Sequence, residues 1–177
     1  MGLTLIRHTR VAVAEGLCYG RTDVPLAWPP EPAFAAVAAT VRQPVAAVVS
    51  SPAVRALALA QHLATRWQVP LTQDVRWQEL DFGAWEGQRW AAIDRTASDF
   101  WCADVERRSP PGGESRAALR TRVQAALAAL HARCRGAHLV VVCHAGPIRV
   151  ALGAPLEARV PWGSAHRLRA TAQGWAA

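Results

Sequence analysis

Two periodicities alternate along this chain, and together they predict its elements. Residues 3–6 (Leu-Thr-Leu-Ile) form an apolar run of strand length that ends at Arg7-His8. Residues 9–30 show no periodic pattern and are punctuated by Gly16, Gly20, Pro25, Pro29 and Pro30, so they read as one long loop, the kind that often carries function. From Glu31 to about Val41 the apolar positions Phe34, Val37, Ala38 and Val41 fall at helical spacing. Val45–Ser50 is a continuous apolar run, as strands of parallel sheets are. Ser51-Pro52 predicts a helix start, with Ser51 at N-cap and Pro52 at N1. Apolar residues at 54, 57, 58 and 64, interrupted by Gln61, carry that helix to about Trp67. An edge strand is expected within 69–75 and an acidic loop over 77–87. Two short helices are expected near 88–96 and 98–107.

Pro110-Pro111-Gly112-Gly113 is the strongest break in the chain. Glu114 to Cys134 then reads as a long amphipathic helix through Leu119, Val123, Ala126, Leu127 and Leu130. His138–Cys143 (His-Leu-Val-Val-Val-Cys) is the clearest strand, and a helix follows His144 to about Leu152. Beyond 154 one or two short strands remain, around 166–170. Strands alternating with helices predict an α/β fold: one domain over residues 1–177, a three-layer sandwich with a mostly parallel central sheet flanked by helices.

Composition narrows the function. The 177 residues carry a formal charge of +7, and all 20 basic residues are arginine. Lysine and asparagine are absent, which is the bias of a GC-rich coding sequence, so the arginine count is partly codon usage. The arginines are scattered from Arg7 to Arg169, with Arg107-Arg108 the one adjacent pair. Without a basic run, zinc-finger spacing or an aromatic RNA-binding motif, nucleic acid is not the expected partner. Arg66, Arg76, Arg120 and Arg133 read as solvated faces. No apolar run approaches the roughly 20 residues of a membrane span, and the N-terminus reads as a first strand and not as a signal peptide. Cys18, Cys102, Cys134 and Cys143 lie far apart, which predicts reduced thiols, no zinc site and a cytoplasmic location.

In sheets of this kind ligands bind beyond the carboxyl ends of the strands. Three predicted strand ends carry polar residues: Arg7-His8, Ser50-Ser51 with Arg55 one turn on, and His144. Arg7, His8, Arg55 and His144 on one rim make an anion site, because guanidinium forks match phosphate oxygens. His62, His131, His138 and His166 fall off that rim. Trp85 and Trp90 read first as packing, and Cys143 as a buried strand-end thiol.

These same residues carry a resemblance. Leu5-Ile-Arg-His-Thr9 resembles the RHG signature of the histidine phosphatase superfamily, also called phosphoglycerate mutase-like. Ser51-Pro-Ala-Val-Arg55 resembles its S-P-x-x-R element, and Glu79-Leu-Asp-Phe-Gly-Ala-Trp-Glu-Gly87 its acid-bearing segment. Pro111-Gly-Gly-Glu-Ser115 matches the break before its long helix, and Val142-Cys-His-Ala-Gly146 its second-histidine motif. The motifs keep their order over residues 3 to 170. Thr9 and Ala145 stand where the family usually has glycine, with a small effect on pocket shape expected.

The resemblance implies a phosphomonoesterase that needs neither metal nor cofactor. His8 would be the nucleophile, Glu79 the proton donor and acceptor, and Arg7, Arg55 and His144 the phosphate holders. Within the superfamily, Glu15 to Leu26, with its Cys18-Tyr19-Gly20 and Asp23-Val24-Pro25-Leu26, is similar to the α-ribazole phosphatases of cobalamin biosynthesis. That implies a small anionic phosphate ester as substrate, with Gly20 and Arg21 near it and Glu86 and Glu114 shaping the site. The alternatives are a broad-specificity phosphatase or a mutase-like enzyme, and, from another class, a phosphate-binding module without activity. The oligomeric state is left open.

Overall fold

Parallel pairing of apolar strands organises the molecule. The computed structural model describes residues 2–134 and 136–176; the Cys134 thiol lies outside the described residues. Four strands run parallel: β1 (Gly2–Arg7), β2 (Ala47–Ser50), β3 (Leu71–Gln73) and β4 (His138–Cys143). Two more, β5 (Ala165–Thr171) and β6 (Gly174–Ala176), add antiparallel, giving the order β3-β2-β4-β1-β5-β6. The mostly parallel α/β sheet predicted above is therefore present.

Alternation across the sheet separates two apolar layers. Ile6, Val48, Val140 and Val142 face helices α1 (Glu31–Thr40) and α2 (Val54–Trp67), against Phe34, Val37, Leu59 and Leu63. Leu3, Leu5, Val49 and Val141 face the other way, onto Leu119, Val123, Ala126 and Leu130 of α4 (Arg116–Cys134) and Ile148 of α5 (Ala145–Ala151). The same layer takes in Trp77, Trp85 and Trp101, the last from α3 (Arg95–Cys102). Trp85, Trp90, Trp101 and Phe82 meet edge to face or stacked, with centroids 5.2–6.3 Å apart.

Several boundaries differ from the sequence reading, each for a local reason. Helix α2 starts at Val54 and not at Pro52, and its N-cap is Ala53 without a side-chain bond. Ser51 does not cap it in the usual way, because its hydroxyl is engaged with His144, 2.8 Å away. Asp23 from the long loop takes over, accepting from the Val54 amide at 2.8 Å. The buried stripe of α2 is Ala56, Leu59, Ala60, Leu63 and Ala64, with Arg55 at its head, and Val54 is exposed. In so alanine-rich a helix the two leucines set the phase. The helix expected over 88–96 is a single 3₁₀ turn at Trp90–Ala92; Asp94 accepts from the Ala97 amide and starts α3 at Arg95. Helix α4 starts at Arg116, with the Ser115 hydroxyl accepting from the Ala118 amide at 3.2 Å, which leaves Glu114 free to point elsewhere.

Among the described residues, no helix is long and apolar enough to cross a membrane.

Candidate active site

Register brings the predicted residues together. β1 and β4 pair from Gly2–His138 to Arg7–Cys143, and the ladder runs one step further, the His8 amide donating to the Cys143 carbonyl at 3.0 Å. Across β4, Ser50 pairs with Val142 and the Ser51 amide donates to the Val142 carbonyl at 2.9 Å. Three strand ends stop at one level, so His8, Ser51 and His144 share a rim. All are buried: His8 is 2% exposed, and Ser51, Arg55 and His144 are 0% exposed.

The hydrogen bonds fix the chemistry of His8. Its Nδ1 lies 2.7 Å from the Thr9 carbonyl. A carbonyl only accepts, so Nδ1 carries the proton and Nε2 holds the free lone pair. The His8 and His144 rings meet edge to face with centroids 5.2 Å apart. Burial pushes the His8 pKa down to about 3; the Thr9 bond opposes this, and the Arg55 and Arg7 charges add to it. His144 is held well below the ordinary histidine value, first by burial and then by His8, Arg55 and Arg7. Both imidazoles are neutral at pH 7.

The two arginines are held by carbonyls on one side. Arg55 donates from Nη1 to the Thr22 carbonyl (2.9 Å) and from Nη2 to the Gly20 carbonyl (2.6 Å), and its guanidinium lies 5.2 Å from the Tyr19 ring centre. Asp23 approaches no closer than 3.9 Å. Arg7 donates from Nη1 to the Val160 carbonyl at 2.6 Å and lies 5.2 Å from the centre of the Trp162 ring. The buried atoms Arg7 Nε, Arg55 Nε, Thr9 Oγ1 and His144 Nδ1 have no hydrogen-bond partner in the protein. Buried polar atoms are normally paired, and half of the eight unpaired ones among the described residues belong to Arg7, Thr9, Arg55 and His144, the residues gathered at this rim.

Glu79 sits beside this set, at the first turn of α5. Its Oε1 accepts from the Gly146 amide at 3.0 Å and from the Leu80 amide at 2.9 Å, and Oε2 lies 3.2 Å from the Gly146 amide. The approach needs glycine at 146, since a Cβ there would stand 2.1 Å from Glu79 Oε1.

Gly20 is in the site through its carbonyl, bonded to Arg55. Arg21 is elsewhere engaged: its Nη1 pairs with Asp81 at 3.1 Å and its Nη2 with Glu114 at 3.2 Å. Glu86 ties down the same turn, accepting from the amides of Arg21 (2.8 Å), Thr22 (2.6 Å) and Phe82 (3.0 Å) and from the Thr22 hydroxyl. Burial works against the Glu86 charge, but the Thr22 hydroxyl and these amides outweigh it and hold its pKa down. Burial pushes the Cys18 thiol up to about 12 and the Cys143 thiol further, so neither is a nucleophile near neutrality.

One residue that the sequence reading missed is Arg122. It donates to the carbonyls of Arg76 (2.8 Å), Gln78 (2.7 Å) and Glu79 (2.8 Å), and its Nε–Nη2 edge meets both carboxylate oxygens of Glu114. Glu114 in turn accepts from the Asp81 amide at 3.1 Å. The pair clamps the segment that carries Glu79. A signal was present: Arg122 is three residues after Leu119 and four before Ala126, a charge beside the apolar stripe of α4. Arg76 and Arg120, expected as solvated, are paired with Asp74 at 2.6 Å and Glu106 at 2.7 Å. Among the described residues, no group of three or more His, Cys, Asp or Glu is placed to hold a metal.

Comparison with known proteins points the same way. The family profile of the histidine phosphatase superfamily (branch 1) matches residues 3–173. The bifunctional protein Rv2228c of Mycobacterium tuberculosis is 32% identical over 163 residues, covering 88% of this chain and 44% of its own length. The chain thus spans less than half of the curated relatives it matches. The α-ribazole phosphatase of Shigella flexneri superposes with a TM-score of 0.86 at 24% identity, covering 99% of this chain and 93% of the other, a likeness of fold. The mycobacterial glucosyl-3-phosphoglycerate phosphatase Rv2419c superposes with a TM-score of 0.81 at 26% identity, covering 94% and 89%.

Proposed function

The chain belongs to the histidine phosphatase superfamily, and we propose that it is a phosphomonoesterase that works through a phosphohistidine on His8. The observation that carries this reading is the state of the His8 ring. Its Nδ1–H is spent on the Thr9 carbonyl, its Nε2 lone pair is free, and burial with two neighbouring arginines keeps it unprotonated. A neutral, oriented imidazole is a nucleophile at neutral pH.

The steps follow from the positions of the polar atoms. A phosphate monoester enters with its oxygens on Arg7 Nε, Arg55 Nε and His144 Nδ1. His8 Nε2 attacks phosphorus in line, the Nε2–P bond forms and the ester P–O bond breaks. Charge spread over the equatorial oxygens meets fixed donors that need no reorganisation. Glu79 gives a proton to the departing alkoxide, then takes one from the water that attacks the phosphohistidine and releases inorganic phosphate. No cofactor enters this sequence, and the fixed positive charge takes the part that a metal plays elsewhere.

For the substrate we favour α-ribazole 5′-phosphate or a close nucleotide-like ester, supported by the Glu15–Leu26 loop and the Shigella flexneri neighbour. The second reading is a phosphatase of other or broader specificity, favoured by the likeness to glucosyl-3-phosphoglycerate phosphatase, which superposes at a TM-score of 0.81 with 26% identity. A side-by-side kcat/KM comparison of α-ribazole 5′-phosphate, mononucleotides and phosphosugars tests it. A value for α-ribazole 5′-phosphate no better than the rest removes the specific reading and keeps the general one. Turnover of p-nitrophenyl phosphate by His8→Ala, with no phosphoenzyme in either protein, overturns both.

A further inference from the structure

A wide hollow lies at the opposite end of the sheet from His8. It encloses about 550 Å³ and is lined by Gly2, the turn from Arg42 to Ala46, residues 136–138, Arg167 and Arg169. The six residue steps of β1 from Gly2 to His8, at about 3.3 Å each, put roughly 20 Å between this hollow and the phosphate site.

Register explains why it is there. Gly2 pairs with His138, Thr4 with Val140 and Arg167, and Leu3 with Leu168. Paired residues share a sheet face, so Arg167 lies on the α1/α2 face beside Thr4, and Arg169, two residues on, comes level with Gly2 on the same face. Helix α1 ends at Thr40 and leaves this end of the face uncovered. Gly2 supplies no side chain to fill the floor, and the Arg42–Ala46 turn forms the wall. Where an apolar layer would continue, the chain has placed two arginines in succession.

Their electrostatics are one-sided. Arg42, Arg167 and Arg169 are exposed, and among the described residues none has an ion pair or a side-chain hydrogen bond. Among the described residues, no carboxylate lines the hollow. Five arginines elsewhere, Arg21, Arg76, Arg116, Arg120 and Arg122, meet carboxylates within 4 Å, whereas these three do not. His138 is already used, with Nε2 on Thr4 Oγ1 at 2.8 Å and the carbonyls of Arg42 and Pro44 against its ring. It pins the turn and leaves the three guanidinium groups as the free donors.

We propose that this hollow is a second anion site, which binds a small polyanion bearing two or more phosphoryl groups and no aromatic ring. Three guanidinium forks suit several anionic oxygens at once. The volume falls in the range of small-ligand sites, about 300–1,000 Å³. The lining has no aromatic side chain besides the engaged His138, so a nucleobase finds no stacking surface. A concave site of this size suits a small molecule better than the flat backbone of a duplex. The proposal does not depend on the phosphatase reading, since it uses none of the residues around His8.

The test is isothermal titration with inorganic pyrophosphate at constant ionic strength, on the full chain with orthovanadate present to fill the His8 site. The wild type binds one pyrophosphate under these conditions. Arg167→Gln/Arg169→Gln and, separately, Arg42→Gln weaken that binding at least tenfold, while p-nitrophenyl phosphate turnover stays within twofold and the far-UV circular dichroism is unchanged. Loss of binding with vanadate in the wild type, or undiminished binding in the double variant, overturns the proposal. So does tight binding of a DNA duplex to the wild type without measurable pyrophosphate binding.

Discussion

Replacing Gly146 by alanine separates the fold from the chemistry. Residue 146 lies in the first turn of α5, where alanine is the better helix former by about 1 kcal/mol. The added Cβ would stand 2.1 Å from Glu79 Oε1, 3.2 Å from its carboxyl carbon and 3.3 Å from Leu119 Cδ2. Real Cβ contacts essentially never fall under 3.0 Å, so the carboxylate must retreat by roughly an ångström. Overpacking of about 1–3 kcal/mol is offset in part by the helix gain, and a net loss near 1 kcal/mol is expected in urea unfolding. The catalytic effect is larger and selective. A proton donor misplaced by an ångström costs about 10- to 100-fold where the leaving group needs a proton. Alkyl phosphate kcat/KM should fall by that amount, whereas p-nitrophenyl phosphate, whose leaving group departs as a stable anion, should fall less than about threefold. Equal losses on both substrates, or none on the alkyl ester, would refute Glu79 as the proton donor.

Other expectations follow from single contacts. Gly20→Ala should cost about 2–4 kcal/mol in urea unfolding and raise KM, because its Cβ would meet the Leu80 carbonyl at 2.6 Å and Glu86 Oε1 at 2.1 Å, at a φ of +20°. Acid should destabilise the fold through His8: its folded pKa, near 3, lies below the unfolded value of 6.5, so the unfolded chain takes the proton first. Stability is then lost from pH 6.5 downward, at up to about 1.4 kcal/mol per pH unit, and levels off near the folded value. His8→Gln should flatten that slope between pH 6 and 4; an unchanged slope would show that His8 titrates as an ordinary surface histidine. Excess EDTA should leave turnover intact, and strict Mg²⁺ dependence would overturn the metal-free mechanism.

The legibility of this protein divides by distance along the chain. His138–Cys143 was readable because six consecutive residues decide a buried strand, and Leu3–Ile6 likewise. Arg7, His8, Arg55 and His144 were readable because the sheet topology sends every parallel strand's carboxyl end to the same edge. The face of α2 was misphased, since alanines lie on every side of that helix and only packing against Phe34 and Val37 chooses among them. Ser51 was read as a helix cap because its partner, His144, lies 93 positions away. Arg21 was expected near substrate, yet it is held by Asp81 and Glu114, contacts that no local pattern encodes. Arg122 shows locally only as a charge beside the apolar stripe of α4, because its carbonyl acceptors are 43 to 46 residues distant.

The arginines at the rim do two things at once, and the second follows from the first. Arg55 is fully buried, and its charge is met by two carbonyls, a ring face and a carboxylate 3.9 Å away. Such a charge has lost most of its hydration without gaining a close counter-ion. Its field also reaches His8 and His144, on both of which burial acts first and the Arg55 and Arg7 charges add. The charges that would grip a phosphoryl group therefore also keep the nucleophile unprotonated while the site waits. In the proposed reaction, an arriving dianion would cancel that field as its phosphorus meets Nε2. Arg55→Met should accordingly raise the His8 pKa, measured by NMR titration of the imidazole, while a shift confined to His62 or His131, which lie off the rim, would show that the arginine field does not reach the nucleophile. Burial alone would still hold His8 below the ordinary value in that variant, so the expected rise is partial. Bound phosphate should push the pKa in the same direction in the wild type, because it removes the same repulsion.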